Sequence, residues 1–366
     1  MRNRHRVLVC GHTGRGNYGH GLDTVWQHVP SCEIVGVVDP DEAGRVAGLR
    51  RLEVASGYAS LEEGLAAEQP DIVAICPRWI DAHRDWVLAV AATGAHIYME
   101  KPFCRSAAEA DEIIAACEAS GTKLALAHQT RYSPVTSAVK RLLEEGAIGE
   151  LLEIRARGKE DHRGGGEDLW VLGSHLMNLI HHLAGEPEWV QAQCEVEGRA
   201  VMATDIREGN EGLGPLAGDT VRAMYGLPNG ATAFFGSRRG AAGNRFGLQL
   251  FGSTGVIELL TGYLPAASIL RDPSWSPARS GKAWETITSA GIGMPEEVRD
   301  EGGHGGNLAA VHDLLAAIAD DRHPECSMYE GRVTVEMICG VFASHRSGQR
   351  ESLPLREREH AWATWS

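Results

Sequence analysis

The chain lacks any long apolar run. Nothing in its 366 residues approaches the roughly 20 consecutive apolar residues of a membrane helix, so no membrane partner is expected. Behind the basic start Met1–Arg6 the apolar run Val7–Cys10 is too short for the core of an export signal, which leaves a cytoplasmic location as the expectation. Paired cysteines are missing as well. The eight cysteines are scattered without a C-x-x-C spacing, so neither a disulfide framework nor a zinc knuckle is expected, and they read as reduced, mostly buried residues. Excess positive charge is also absent: at a formal net charge of -14 the chain repels a nucleic-acid backbone, and no nucleic-acid partner is expected. There is no H-E-x-x-H pattern and no internal repeat. The low-complexity spots Gly164–Gly166 and Gly302–Gly306 read as mobile loops.

What is present suffices for substantial cores. Hydrophobic residues make up 43% and charged residues 23%, as in globular chains, and the length suggests two domains. Over residues 1–127, short β-branched runs alternate with helical patterns. Arg6–Cys10, Glu33–Asp39, Asp71–Cys76, His96–Met99 and Lys123–Ala127 have the composition of buried parallel strands. Ser60 followed by Glu63 marks a helix start, and Ala82–Ala92 a further helix before Gly94. This alternation predicts an α/β dinucleotide-binding Rossmann domain with a doubly wound parallel sheet. Residues 128–366 change character: a helix over about Ser133–Glu145, then strand-like runs at Leu151–Arg157, Val190–Val196, Thr220–Tyr225, Thr232–Arg238, Phe246–Gly252 and Val256–Leu260. Their hairpin spacing predicts an α+β substrate-binding domain with a large open, mostly antiparallel sheet. An open face of that kind implies a homo-oligomer, a dimer or a tetramer, and Trp362 and Trp365 in the tail offer a further subunit contact.

The first strand runs straight into Gly11-His12-Thr13-Gly14-Arg15-Gly16-Asn17-Tyr18-Gly19. Glycines there let backbone amides at a helix start approach a pyrophosphate. Two registers fit. Gly14, Gly16 and Gly19 satisfy G-x-G-x-x-G, whereas Gly11, Thr13 and Gly16 place the first turn directly behind the strand, with Gly14 relieving it. Asp39 ends the second strand, where a carboxylate can bind both adenosine ribose hydroxyls and would repel a 2'-phosphate, favouring NAD over NADP. Arg15 and Arg45 could moderate that repulsion, so NADP stays open. Without a cofactor, the same residues make a plain strand-to-helix turn followed by a turn-forming Asp-Pro step.

Glu100-Lys101-Pro102 lies at the C-terminal end of the predicted strand His96–Met99, the edge of an open α/β sheet where ligands bind. Together with the glycine loop, Asp39, Ala74-Ile75-Cys76-Pro77 with His83, Arg131-Tyr132, Ala147-Ile148-Gly149-Glu150 and the late Asn307 to Pro324 segment, it resembles the Gfo/Idh/MocA family of oxidoreductases, named for glucose-fructose oxidoreductase, inositol dehydrogenase and rhizopine catabolism. The resemblance implies that Lys101 lies beside the nicotinamide and binds the hydroxyl being oxidised, with Glu100, Pro77 and His83 around the cofactor. It also implies that His175 is the acid-base group. The Asp that the family carries four residues earlier is replaced by Val171, and Asn178 stands where an Asp often follows.

Asp168, seven residues before His175, falls two helical turns away on the same face and could contact substrate; as a first-turn residue it could instead cap the helix. His162, in the polar stretch Lys159–Arg163, is placed to sit on a substrate lid or a solvated loop. His175, Asn178 and His182 could share one face, yet a lysine that polarises the oxygen makes a metal unnecessary. The expectation is an NAD(P)-dependent dehydrogenase acting on a secondary alcohol of a sugar, inositol or sugar acid. Its rivals are transient oxidation without net redox, and a cofactor-binding sensor without turnover.

Overall fold

The computed structural model describes residues 4–241 and 245–365, so the first half of the basic run Met1–Arg6 lies outside the described residues. The chain divides into two compact units. One comprises Met1–Ala127, Asn210–Leu213 and Gly302–Arg332; the other comprises His128–Gly209, Gly214–Glu301 and Val333–Ser366.

In the first unit, strands β1 (His5–Cys10), β2 (Cys32–Val38), β3 (Gly57–Tyr58), β4 (Ile72–Ile75), β5 (His96–Met99) and β6 (Leu124–Leu126) form one sheet in the order β3-β2-β1-β4-β5-β6. Every pairing is parallel. The apolar runs noted in the sequence are its centre: Val7 to Val9 and Ile72 to Ile75 are fully buried, as strands covered on both faces must be. Helices α1 (Glu42–Leu52), α2 (Leu61–Glu68), α3 (His83–Ala91) and α4 (Ala107–Ser120) connect the strands. The Ser60 hydroxyl accepts from the Glu63 amide, the cap expected from the sequence, and Ser106 does the same for Glu109 at α4. The strand order is that of a Rossmann sheet, whose ligand crevice opens at the carboxyl ends of β1 and β4.

Two later segments return to this unit. The helix Gly305–Ala319 packs beside β5 and β6, and its buried Asn307 accepts from the Tyr98 hydroxyl (2.8 Å) and donates to the His20 carbonyl (2.9 Å). Gly305 and Gly306 open this helix, so only part of the glycine-rich stretch expected to be a loop is one. Residues 210–213 close over the turn at Asp81.

The second unit is built on an eleven-stranded sheet. β7 (Leu151–Arg157) pairs parallel with Thr232–Arg238 and antiparallel with Gly247–Gly252; the remaining pairings among the described residues are antiparallel. Strands Ala267–Leu270 and Glu285–Thr288, not marked in the sequence, extend the sheet. One face is packed: Ile154, Ala156, Val221 and Phe235 are at most 2% exposed. α5 (Pro134–Glu144) is capped by Ser133, which accepts from the Val135 and Thr136 amides. Trp362 is buried inside the chain against Phe342, whose carbonyl accepts from its indole N–H (3.0 Å). This tail therefore completes the unit's own core, contrary to the expectation that Trp362 faces another subunit. The glycines Gly164 to Gly166 are likewise buried. A Cβ on Gly164 would stand 2.2 Å from Arg239 Cα, so they permit close backbone approach and do not form the expected mobile loop. All eight cysteines are free and buried, and no helix of the described residues is long and apolar enough to cross a membrane.

Candidate functional site

The residues expected from the sequence to bind a dinucleotide lie at the carboxyl edge of the first unit's sheet. The Gly11 amide donates to the Val38 carbonyl (2.8 Å), which ties the loop to the end of β2. Gly14 and Gly16 have φ of +81° and +86°, a region closed to most side chains. A Cβ on Gly16 would stand 2.3 Å from the Arg78 amide nitrogen, whereas one on Gly14 would meet nothing within 4 Å. The loop is therefore packed on one side and open on the other, as a cradle for phosphates requires. No α-helix begins behind it, contrary to the sequence expectation. The chain proceeds through turns to a short 3-10 helix at Val25–His28, because Gly14, Gly16, Asn17, Gly19 and Gly21 all take positive φ. The loop amides, without a helix dipole, are what it offers a pyrophosphate.

Asp39 follows β2 as expected, but its carboxylate is fully buried and turned inward. It accepts from the Thr13 hydroxyl (2.7 Å), the Thr13 amide (3.1 Å) and the Asp41 amide (3.0 Å). In front of the strand ends lies a cavity of 320 Å³ lined by His12, Arg15, Glu62, Trp79, Asp81 and Trp86, among others. The His12 and Trp86 rings lie parallel, 10° apart, which suits a flat base between apolar walls. Pro77 and His83 also line it, and the buried His83 ring bridges the Pro77 and Pro102 carbonyl oxygens at 2.8 Å each. Arg15, expected to offset a phosphate, is instead paired with Asp81.

Glu100 and Lys101 directly follow β5, and the Lys101–Pro102 bond is cis. Lys101 is 4% exposed and Glu100 1%. The Glu100 carboxylate is bound to the His20 ring (2.6 Å) and accepts from the Lys101 amide (2.7 Å). Burial pushes this carboxyl up, but the His20 hydrogen bond and the Lys101 charge outweigh it and hold the group below its ordinary range. A charged carboxylate thus sits against the Lys101 backbone. The sequence offered no cue to His20, which lies in the turn segment without any periodicity.

In the second unit, α6 (Gly166–Val171) and α7 (Gly173–Ala184) are separate helices divided at Leu172. Val171 and Asp168 therefore lie on one helix and His175 on the next, and the expected single face does not form. Asp168 is fully buried, raised by burial, and accepts from Ser237 and the Glu160 amide (3.1 Å). It fixes the 158–165 stretch from within. That stretch is no open lid: Glu160 is fully buried and clamped by Arg157, Arg245 and the Arg238 amide, while His162 stands exposed to solvent at its tip. Asn178 is also internal, bridging Arg131 and Thr334. His182 is buried and lowered to about 3, chiefly by burial, with Arg131 adding to the shift. His175 is only partly covered, with the His128 ring edge-on at 5.2 Å and Phe246 at 6.4 Å. His128 was missed, although it follows the predicted strand Lys123–Ala127, at the sheet edge where ligands bind.

A Rossmann sheet with a glycine loop at its carboxyl edge and a buried lysine beside a charged carboxylate fits a nicotinamide-dinucleotide oxidoreductase. The chain belongs to the Gfo/Idh/MocA family. The family model described as oxidoreductase family, NAD-binding Rossmann fold, matches residues 5–128, and the GFO/IDH/MocA C-terminal domain matches 136–258. A candidate UDP-kanosamine synthase oxidoreductase subunit of Amycolatopsis mediterranei is 28% identical over 94% of this chain and 97% of its own length. D-apiose dehydrogenase of Paraburkholderia graminis is 33% identical over 55% of this chain and 54% of its own. Among solved structures, levoglucosan dehydrogenase in complex with NADH and L-sorbose matches the fold with a TM-score of 0.77 at 18% identity, over 96% of this chain and 99% of that one.

Proposed function

We propose that the protein reversibly oxidises a secondary alcohol of a sugar, inositol or sugar acid, using NAD. The observation that carries this reading is Lys101: a lysine 4% exposed, at the carboxyl end of β5, beside a carboxylate held charged. The relatives named for UDP-kanosamine and D-apiose support a sugar-like substrate.

In this mechanism Lys101 donates a hydrogen bond to the substrate hydroxyl oxygen and stabilises the negative charge that grows there as the proton leaves. His175 accepts that proton, and the His128 ring beside it limits how far the imidazole can turn. Glu100, through the hydrogen bond it accepts from the Lys101 amide, fixes the backbone from which the lysine side chain extends. When bound, the nicotinamide supplies the acceptor for the hydride that leaves the carbinol carbon. The glycine loop holds the pyrophosphate, and the cavity by Trp79 and Trp86 takes the adenosine end.

The test is to follow nicotinamide reduction and substrate loss together, with NAD and pools of sugars, inositols and aldonic acids. Sustained reduction supports the reading. Substrate loss without reduced cofactor replaces it by transient oxidation, and ligand binding without turnover replaces it by a sensor. We also infer a homo-oligomer formed through the second face of the large sheet, which carries Arg155, Arg157, Arg222 and the 38% exposed Phe234. Light scattering on the purified chain tests it, and a monomer at micromolar concentration would contradict it.

A further inference from the structure

Among the described residues, the cavity that takes the adenosine end contains three carboxylates, Glu62, Asp81 and Asp85, and one guanidinium, Arg15. That guanidinium is already committed. It pairs with Asp81 and lies 4.7 Å over the Trp79 ring. Asp81 is held in turn by the returning segment at residues 210–213. Gly212, at φ +69°, closes over it so tightly that a Cβ there would stand 2.7 Å from Asp81 Cγ. Asp85 is paired with Arg84 (2.6 Å), and Arg45 near the end of β2 donates to the Asp39 carbonyl (2.7 Å).

We propose that Asp81 is a specificity-determining residue that selects NAD against NADP by holding Arg15 on Trp79. The inference rests on the cofactor reading above, in which this cavity lies at the adenosine ribose. The two cofactors differ there by one phosphate, which carries close to two negative charges and calls for a guanidinium with free N–H groups. Arg15 is the cavity's arginine, and its charge is cancelled by Asp81 while Glu62 adds repulsion. A ribose hydroxyl bears no charge and is satisfied by carboxylate acceptors. Asp39, the residue from which selectivity is normally argued, is turned inward to Thr13, so the discrimination passes to the pair in front of it. Without the Asp81 charge, Arg15 is released on its flexible stem and becomes the missing phosphate ligand.

The experiment is calorimetric titration of the full chain with NAD and with NADP, for the wild type, Asp81→Ala, Asp81→Asn, and Asp81→Ala combined with Arg15→Ala. Asp81→Asn keeps the packing against Gly212 and removes only the charge. The wild type is expected to prefer NAD. Both single variants are expected to shift the ratio of NADP to NAD dissociation constants about 10-fold toward NADP, the scale of one charge-assisted contact, and the double variant is expected to lose the gain. An unchanged ratio in both single variants overturns the proposal, as does a gain that survives without Arg15, since that would make Asp81 a source of repulsion and no tether. A wild type that binds neither dinucleotide overturns the cofactor reading along with it.

Discussion

A carboxylate 1% exposed must be hydrogen-bonded or it will take up a proton, and Glu100 meets this demand with the His20 ring and the Lys101 amide. His20 has a side chain that is 57% exposed, so one ring nitrogen serves the buried acid while the rest of the ring faces outward. Removing that partner from a buried charge costs about 1–3 kcal/mol, which corresponds to roughly 10-fold or more if it falls on the transition state. His20→Ala is accordingly expected to lower kcat/KM by about 10-fold without loss of the folded state, as checked by steady-state kinetics beside a melting curve. His20→Asn, whose amide nitrogen can stand in for the ring nitrogen, should recover most of the loss. Equal rates in wild type and His20→Ala would remove His20 from the account.

At the scale of elements, strands were legible and the segments around the site were not. His96–Met99, Leu151–Arg157, Thr232–Arg238 and Val256–Leu260 occur with the bounds expected, because β-branched and apolar runs between turn residues permit little else. The glycine loop was read as a helix start, which the structure does not show, since positive φ at successive glycines is a tertiary outcome that composition only allows. The break between α6 and α7 was also missed, although Gly173 and Ser174, poor helix formers directly behind Leu172, are the signal that marks it. The same geometry separates two substitutions that look alike in sequence. Gly14→Ala should cost only the strain of an L-residue in the left-handed region, about 1–2 kcal/mol, because its Cβ would point into open space. Gly16→Ala must in addition push away the Arg78 backbone, 2.3 Å from the new atom. NAD titrations and melting curves should therefore show a much larger loss of affinity for Gly16→Ala, and equal losses would contradict the packing described.

At the scale of the molecule, the chain closes on itself from both late segments. The first unit recruits Gly305–Ala319, and the second packs its tail as an aromatic cluster. His360 is 5% exposed in that cluster, stacked on Trp170 and tilted against Phe342. Burial lowers its pKa from 6.5 to about 4. Because the folded value lies below the unfolded one, the neutral ring's contribution is intact above about 6.5 and is lost as pH falls toward 4, where the unfolded chain binds a proton that the folded one refuses. Thermal melting between pH 7 and 4 should show this acid destabilisation, with a shallower slope in His360→Phe, which keeps the aromatic stack and cannot titrate. A slope unchanged by the substitution would place the acid sensitivity elsewhere, first at His182, which burial also lowers.

Lys101 is the residue on which the proposed chemistry depends. The most direct measurement is the rate of nicotinamide reduction by the wild type and by Lys101→Ala, with NAD and the sugar-like substrate found in the pool assay, both proteins first shown to be folded. Sustained reduction by the wild type is expected, with a fall of about 100-fold or more in the variant, the scale of a lost polarising group. A variant that reduces NAD as fast as the wild type would contradict it.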